Sequence, residues 1–226
     1  MAWRETFEPL RITATLRTGV VCDRWLPIDG VLLSQACRDQ YGVQSSTEPG
    51  GSARPGKVRM PLALRRHGTD NWYYAASWAQ PQPWWLDEGL DYWNKRFDNA
   101  LSDLVDFRGR RGKVTVEKGQ YRAYHMPVRY YVADRIEWYV VGEQARIEAL
   151  LTTCGWIGKK TAQGWGRVID WCVEPWPEDW SVRRDGRLTR GVPVLDATEE
   201  ERQRVMVYGV RPGYYKRSNQ MPVAMP

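Results

Sequence analysis

Apolar and polar residues alternate over 10–18 (LRITATLRT), the period-two pattern of a strand with one face in a core. Asp29, two residues after Pro27, stands where an N-cap would, which predicts a helix through about Tyr41. Val31, Leu32, Leu33, Ala36 and Cys37 supply its apolar face. Residues 42–57, rich in Gly, Ser and Pro, read as a surface loop or as a segment that orders on a partner. Residues 58–64 and 72–78 predict two strands around a turn at 67–70, whereas the Trp- and Pro-rich stretch 80–95 has no assignable period. The aromatic and β-branched runs 121–132 and 135–141, with Ala133 and Asp134 between them, predict a hairpin. A helical period follows over 143–153 and an alternating run over 167–173; from Glu174 onward the chain reads as loop. Strand, helix, strands, hairpin strand, helix, strand is the βαββαβ order of a ferredoxin-like α+β fold with insertions. An RNA-recognition motif shares that fold and binds RNA on its sheet through two aromatic signatures, neither of which occurs here.

The densest chemical signal lies between the second helix and the last strand. Residues 155–168, GWIGKKTAQGWGRV, hold four glycines, two lysines and an arginine. Glycine lets one backbone approach another closely and adopt positive φ, and lysine and arginine beside it supply charge for phosphates. The combination points to a loop lying against a nucleic-acid or nucleotide backbone. Glycines that only turn the chain are the competing reading, which leaves the clustering of Lys159, Lys160 and Arg167 without a reason. The run Gly158-Lys159-Lys160-Thr161 looks like the end of a P-loop but departs from one. A P-loop has four residues between its glycines, a strand before it and a helix after it; here two residues separate Gly155 from Gly158 and the flanking order is reversed.

Composition narrows the partner. The 226 residues allow one large domain or one and a half small ones. A net charge of +6 and a pI near 9.2 fit an anionic partner, with a basic but uninvolved surface as the alternative. Thirteen Trp and twelve Tyr against three Phe favour side chains that join apolar area to a polar handle, suited to wet interfaces and base stacking. Cys22, Cys37, Cys154 and Cys172 are far apart and no CxxC pair exists, so neither a structural zinc site nor any other cofactor is expected. The sequence shows no signal peptide and no long apolar span, which predicts a cytoplasmic protein with reduced thiols and no membrane partner.

The glycine loop resembles that of the CRISPR-associated RAMP superfamily. The stretches LRITATLRTGVVCDRWLPIDGVLLSQA (10–36), NWYYAASWA (71–79), IEWYVVGEQARIEALL (136–151), GRLTRGVPV (186–194) and YGVRPGYY (208–215) are similar to one branch of it. That branch is the type IV-A subunit that caps the 5′ end of the crRNA, the counterpart of the small foot subunit of type I Cascade. The resemblance implies a ferredoxin-like RAMP domain over 1–174, with insertions at about 42–57 and 80–120, and an extension over 175–226 packed on the same domain. It implies a ribonucleoprotein subunit whose partners are the 5′ handle of the guide RNA, the large subunit, the first backbone subunit and target DNA near the PAM. Base pairing between guide and target reads sequence in such complexes, so the protein needs backbone contacts and stacking platforms. On this reading Gly155, Gly158, Gly164 and Gly166 let RNA or the chain's own framework approach, and Lys159, Lys160 and Arg167 meet phosphates. Trp156 and Trp165 stack on bases or pack inward, packing being favoured for Trp165. The basic run Arg108, Arg110, Arg111, Lys113 and Lys118 lies in the second insertion and reaches along RNA or a neighbouring subunit, or is a solvated loop.

Some RAMP relatives cleave guide precursors, which makes His67 and His125 the candidate general bases. His67 lies beside Arg65 and Arg66 in a basic turn and reads better as a phosphate contact; His125, inside a strand, reads better as a packed residue. Type IV-A systems have a separate processing subunit, so the expectation is a non-catalytic protein. A metal-independent ribonuclease and a stand-alone nucleic-acid-binding module remain as alternatives.

Overall fold

The computed structural model describes residues 7–23, 25–42, 58–67, 71–82, 84–98, 100, 117 and 121–226. The expected loop at 42–57, save Gly42, and the basic run Arg108, Arg110, Arg111, Lys113 and Lys118 lie outside the described residues. Among the described residues the chain is α+β, with two α-helices and sheets whose strand pairs are antiparallel.

In chain order the elements are β1 (Glu8–Leu16), α1 (Ile28–Tyr41), β2 (Leu64–His67), β3 (Asn71–Tyr74), β4 (Gln80–Gln82), β5 (Asp87–Lys95), β6 (Tyr124–Val132), β7 (Arg135–Gly142) and α2 (Gln144–Thr152). After the glycine loop come β8 (Val168–Pro175), β9 (Arg183–Arg184), β10 (Arg187–Leu188), β11 (Val192–Pro193), β12 (Val205–Gly209) and β13 (Gln220–Ala224). The main sheet has the order β4-β7-β1-β8. Alternation in β1 places Leu10, Ile12, Ala14 and Leu16 on one face, joined by Ile136, Trp138 and Val140 of β7. Both helices cover that face through Ile28, Leu32 and Ala36 of α1 and Ile147, Leu150 and Leu151 of α2, completing one core. No helix among the described residues is long and apolar enough to cross a membrane.

Several expectations are corrected. The helix over 28–41 exists, but Pro27 is its N-cap and no side chain caps it. Asp29 sits inside the first turn, fully buried, its carboxylate accepting from the Tyr214 hydroxyl at 2.6 and 2.8 Å. Residues 58–63 do not form a strand; the hairpin there is β2–β3, starting at Leu64 and ending at Tyr74. The runs 121–132 and 135–141 do not form a hairpin with each other. β6 pairs along its length with β5, and β7 pairs with β1. A two-residue hairpin turn of the favoured type needs positive φ at both positions, and neither Ala133 nor Asp134 has it. The pair instead hands the chain from one sheet to the next, with the Asp134 carbonyl accepting from the Leu16 N–H at 2.9 Å.

The tail is not loop. β11, β13 and β12 form a three-stranded sheet, and Val192, Val210, Val223, Ala224 and Met225 pack with Tyr73 and Trp78 in a second core. Its strands are two to five residues long, too short for a period to show. Asp185-Gly186, with φ of 50° and 75°, turns β9 into β10, and that Asp-Gly pair was a readable hairpin signal.

Candidate nucleic-acid interface

The glycine loop is a narrow folded ribbon pinned to the segment after β1. The N–H of Lys159 donates to the Val21 carbonyl at 2.6 Å, and that of Gly166 to the Gly19 carbonyl at 2.7 Å. Across the ribbon the Ile157 N–H donates to the Gly166 carbonyl at 2.8 Å, and the Val168 N–H to the Gly155 carbonyl at 3.0 Å. The Thr18 hydroxyl fastens the tip by donating to the Gly164 carbonyl at 2.9 Å and accepting from the Arg167 N–H at 3.0 Å. Two of the glycines are demanded by this packing. A Cβ on Gly158 (φ 79°) would lie 2.6 Å from the Val21 carbonyl oxygen, and one on Gly166 (φ 74°) would lie 1.9 Å from that of Ile157. The close approach they allow is of the chain to itself. Gly155 is different: a Cβ there meets nothing within 4 Å.

The charged side chains of the loop are ordered by weak, exposed contacts. Lys159 Nζ lies 3.0 Å from both carboxylate oxygens of Asp23. With both side chains about two-thirds exposed, such a pair contributes about 0–1 kcal/mol, little enough for a phosphate to compete for the ammonium. Lys160 Nζ sits 3.9 Å from the centre of the Trp93 ring on β5, and the Arg167 guanidinium 5.8 Å from that of Trp156. Trp165 is half-buried and stacks on Tyr130 of β6 at 4.7 Å, so it packs, while Trp156 stays exposed. The loop thus rests against the β5–β6 ribbon through Trp165 and Lys160.

Between the loop, α1 and the C-terminal sheet opens a cleft of about 430 Å³. Trp25, Trp156, Tyr208 and Tyr214 give it aromatic walls, Arg38 and Lys159 give it positive charge, and Asp23 opposes them. Burial, reinforced by Asp23, pushes the Cys22 thiol in its wall up to about 12, so the group stays neutral. Burial raises Tyr214 well above its ordinary value, and the Asp29 carboxylate adds to the shift, which keeps its hydroxyl a proton donor to that carboxylate. The cleft therefore offers stacking faces and cations together, the two ingredients of single-strand binding. Arg38, Trp25, Tyr208 and Tyr214 were not read from the sequence as site residues. Tyr208 and Tyr214 sit in the YGVRPGYY stretch, 40 or more residues from the loop, and only the tail's folding brings them to it.

The remaining sequence-derived residues sit elsewhere. Arg65, on β2, is paired with Asp179 of the tail. Arg66 and His67 share that strand, in register with Trp72 and Asn71. The two strands that flank the basic run, β5 and β6, end paired at Lys95 and Tyr124. His125 is stacked on Tyr92 at 4.6 Å and its Nδ1 lies 2.5 Å from Asn94 Oδ1, well away in sequence and sheet from the other histidine. Among the described residues no group of His, Cys, Asp and Glu could hold a metal ion.

On the outer face of the main sheet, the face an RNA-recognition motif uses, Arg11 of β1 is already engaged. Arg11 donates to Glu174 from Nε at 2.9 Å and from Nη2 at 2.6 Å, lies 3.5 Å from Glu137, and is covered by Trp176 at 4.5 Å.

The chain matches the family CRISPR type IV associated protein Csf3 over residues 8–226. The chain belongs to this family. The match spans both cores, the glycine loop and the C-terminal sheet, so the tail is part of what defines a Csf3 protein. No curated protein matches the chain.

Proposed function

We propose that this Csf3-family chain is a non-catalytic subunit of a type IV CRISPR ribonucleoprotein, binding the 5′ handle of the guide RNA at the glycine loop and its cleft. The observation that carries the reading is the juxtaposition of that loop with four aromatic walls and the cations Arg38, Lys159, Lys160 and Arg167. We read the chain as a ferredoxin-like βαββαβ domain of the RAMP superfamily, a reading that the order β4-β7-β1-β8, with α1 after β1 and α2 after β7, supports. The β5–β6 ribbon exposes Leu90 and Tyr92 on one face and Met126 on the other, apolar positions suited to the large or backbone subunit. PAM-proximal DNA is a further contact of the same complex.

Tagged protein drawn from cells carrying its neighbouring genes brings down sister subunits and short RNAs of uniform 5′ handle. Protein arriving alone, or with heterogeneous RNA, contradicts the assignment and favours a stand-alone binding module. Changing Lys160 and Arg167 together to alanine lowers the slope of log affinity against log salt by about 1–2, since each phosphate contact contributes roughly 0.7–0.9. Both slopes are read by titrating guide RNA at several salt concentrations. An unchanged slope places the phosphates elsewhere.

A further inference from the structure

Behind the first cleft lies a second, smaller cavity of about 180 Å³, between the C-terminal sheet and the segment that follows β3. Its walls include four indoles, those of Trp25, Trp78, Trp84 and Trp85, with Arg204 at the rim and no acidic side chain. Trp25 lines both cavities, so a strand lying in the first reaches the second across one ring.

The walls are built to different degrees of rigidity. Trp78 is fully buried and held on one side by Gly191, where a Cβ would come within 2.6 Å of its ring. It packs on Trp25 at 5.3 Å, and Tyr208 meets both rings edge-on at 5.8 and 5.6 Å. Trp84, by contrast, is 62% exposed. Trp78, its Nε1 included, is buried, so this ring backs the cavity wall, and the more open rings of Trp25, Trp84 and Trp85 face the space. The Arg204 guanidinium lies 5.9 Å from the Trp25 ring and donates to the Pro226 carbonyl at 3.1 Å.

We propose that this cavity receives a single unstacked nucleobase, which stacks on the indoles of Trp25, Trp84 and Trp85. Its volume is below the roughly 300–1,000 Å³ of pockets for drug-sized ligands and suits one planar heterocycle. Every base has a π-face for the indoles. The absence of a carboxylate among the lining residues and the presence of Arg204 favour a group attached to a phosphate chain over a cationic peptide. The strand is taken to be the guide RNA, which rests on the function proposed above; the stacking pocket itself does not.

The test titrates the full chain with single-stranded oligonucleotides of the handle sequence, each abasic at one position in turn, in ribose and deoxyribose series. The parent is compared with Trp84→Ala, an exposed change that leaves the core intact. Thermal melting verifies that the variant folds. One abasic position is expected to weaken the parent about 5- to 100-fold and to leave Trp84→Ala almost unaffected, the signature of a base meeting that indole. The dependence appearing only with deoxyribose keeps the pocket and moves it to a DNA strand, which contradicts the guide-RNA source alone. Normal handle RNA binding, with every abasic position shifting parent and Trp84→Ala alike, overturns the pocket and leaves the guide-RNA function standing. Absence of binding in both series overturns both.

Discussion

Arg190→Met is expected to cost about 3–5 kcal/mol of stability, read as a fall in Tm of roughly 6–20 °C. Arg190 is fully buried, and its guanidinium holds together three parts of the chain. Nη1 donates to the carbonyls of Tyr74 at 2.6 Å and Ala76 at 2.9 Å, and Nη2 donates to that of Val210 at 2.6 Å. Nη1 also lies 3.9 Å from Asp29 of α1, and the guanidinium faces the Tyr73 ring at 4.9 Å. The tail, the β3 segment and the first helix thus share one cation. Methionine fills the space, but it strips the guanidinium donors from the carbonyls of Tyr74, Ala76 and Val210 and takes from the Asp29 carboxylate its nearby cation, leaving it Tyr214 and backbone N–H groups.

The size of that loss depends on pH in a direction the burial fixes. Desolvation raises the Asp29 pKa above its model-peptide value, against the opposing pull of Arg190 and then of Tyr214. Removing Arg190 takes away the larger of those pulls, so the folded-state pKa climbs further. A carboxyl with a raised folded pKa binds its proton more tightly when folded, so stability falls as pH rises from the unfolded value near 4 through the folded one. The Tm gap between parent and Arg190→Met therefore widens from pH 4 to pH 7. Adding Asp29→Asn to the variant narrows the gap at pH 7 and leaves the part due to the carbonyls stripped of the guanidinium. A gap that stays constant with pH, or one that Asp29→Asn closes completely, contradicts this division of the cost.

Where one local pattern determined an element, it was legible. Leu10, Ile12, Ala14 and Leu16 alternate because a single face of β1 is buried, and α2 ends one residue after its last buried side chain, Leu151. What long-range contact decided was not legible. β6 follows β7's aromatic composition but pairs with β5, since Ile136, Trp138 and Val140 of β7 have their partner across the core in β1. Asp29 reads as a cap because most buried carboxylates need a partner, and its partners, Tyr214 and Arg190, lie 185 and 161 residues away. The loop's cations could be read from their clustering, whereas the aromatic cleft depends on Tyr208 and Tyr214 arriving from a tail with no readable period.

Gly166→Ala is expected to be the most damaging change in the loop. Alanine there needs φ near 74° and places a Cβ 1.9 Å from the Ile157 carbonyl oxygen, a distance no side-chain adjustment relieves because both partners are backbone. The ribbon must open, breaking the Ile157–Gly166 hydrogen bond and the anchor of the Gly166 N–H on Gly19. Strain and two lost bonds together cost about 3 kcal/mol or more, and guide RNA binding falls with the fold of the loop. Because stability and binding fall together, that variant alone does not separate a self-packing glycine from an RNA-facing one. Gly155→Ala does. Its Cβ meets open space and its φ is not positive, so its Tm stays close to the parent's, within the small change usual for a surface site. If the RNA backbone runs against the mouth of the loop, the added methyl group stands between them and guide affinity drops about tenfold with Tm unchanged. Parent-like affinity in Gly155→Ala confines the role of the loop's glycines to its own folding and leaves the contact to Lys160, Arg167 and the aromatic cleft.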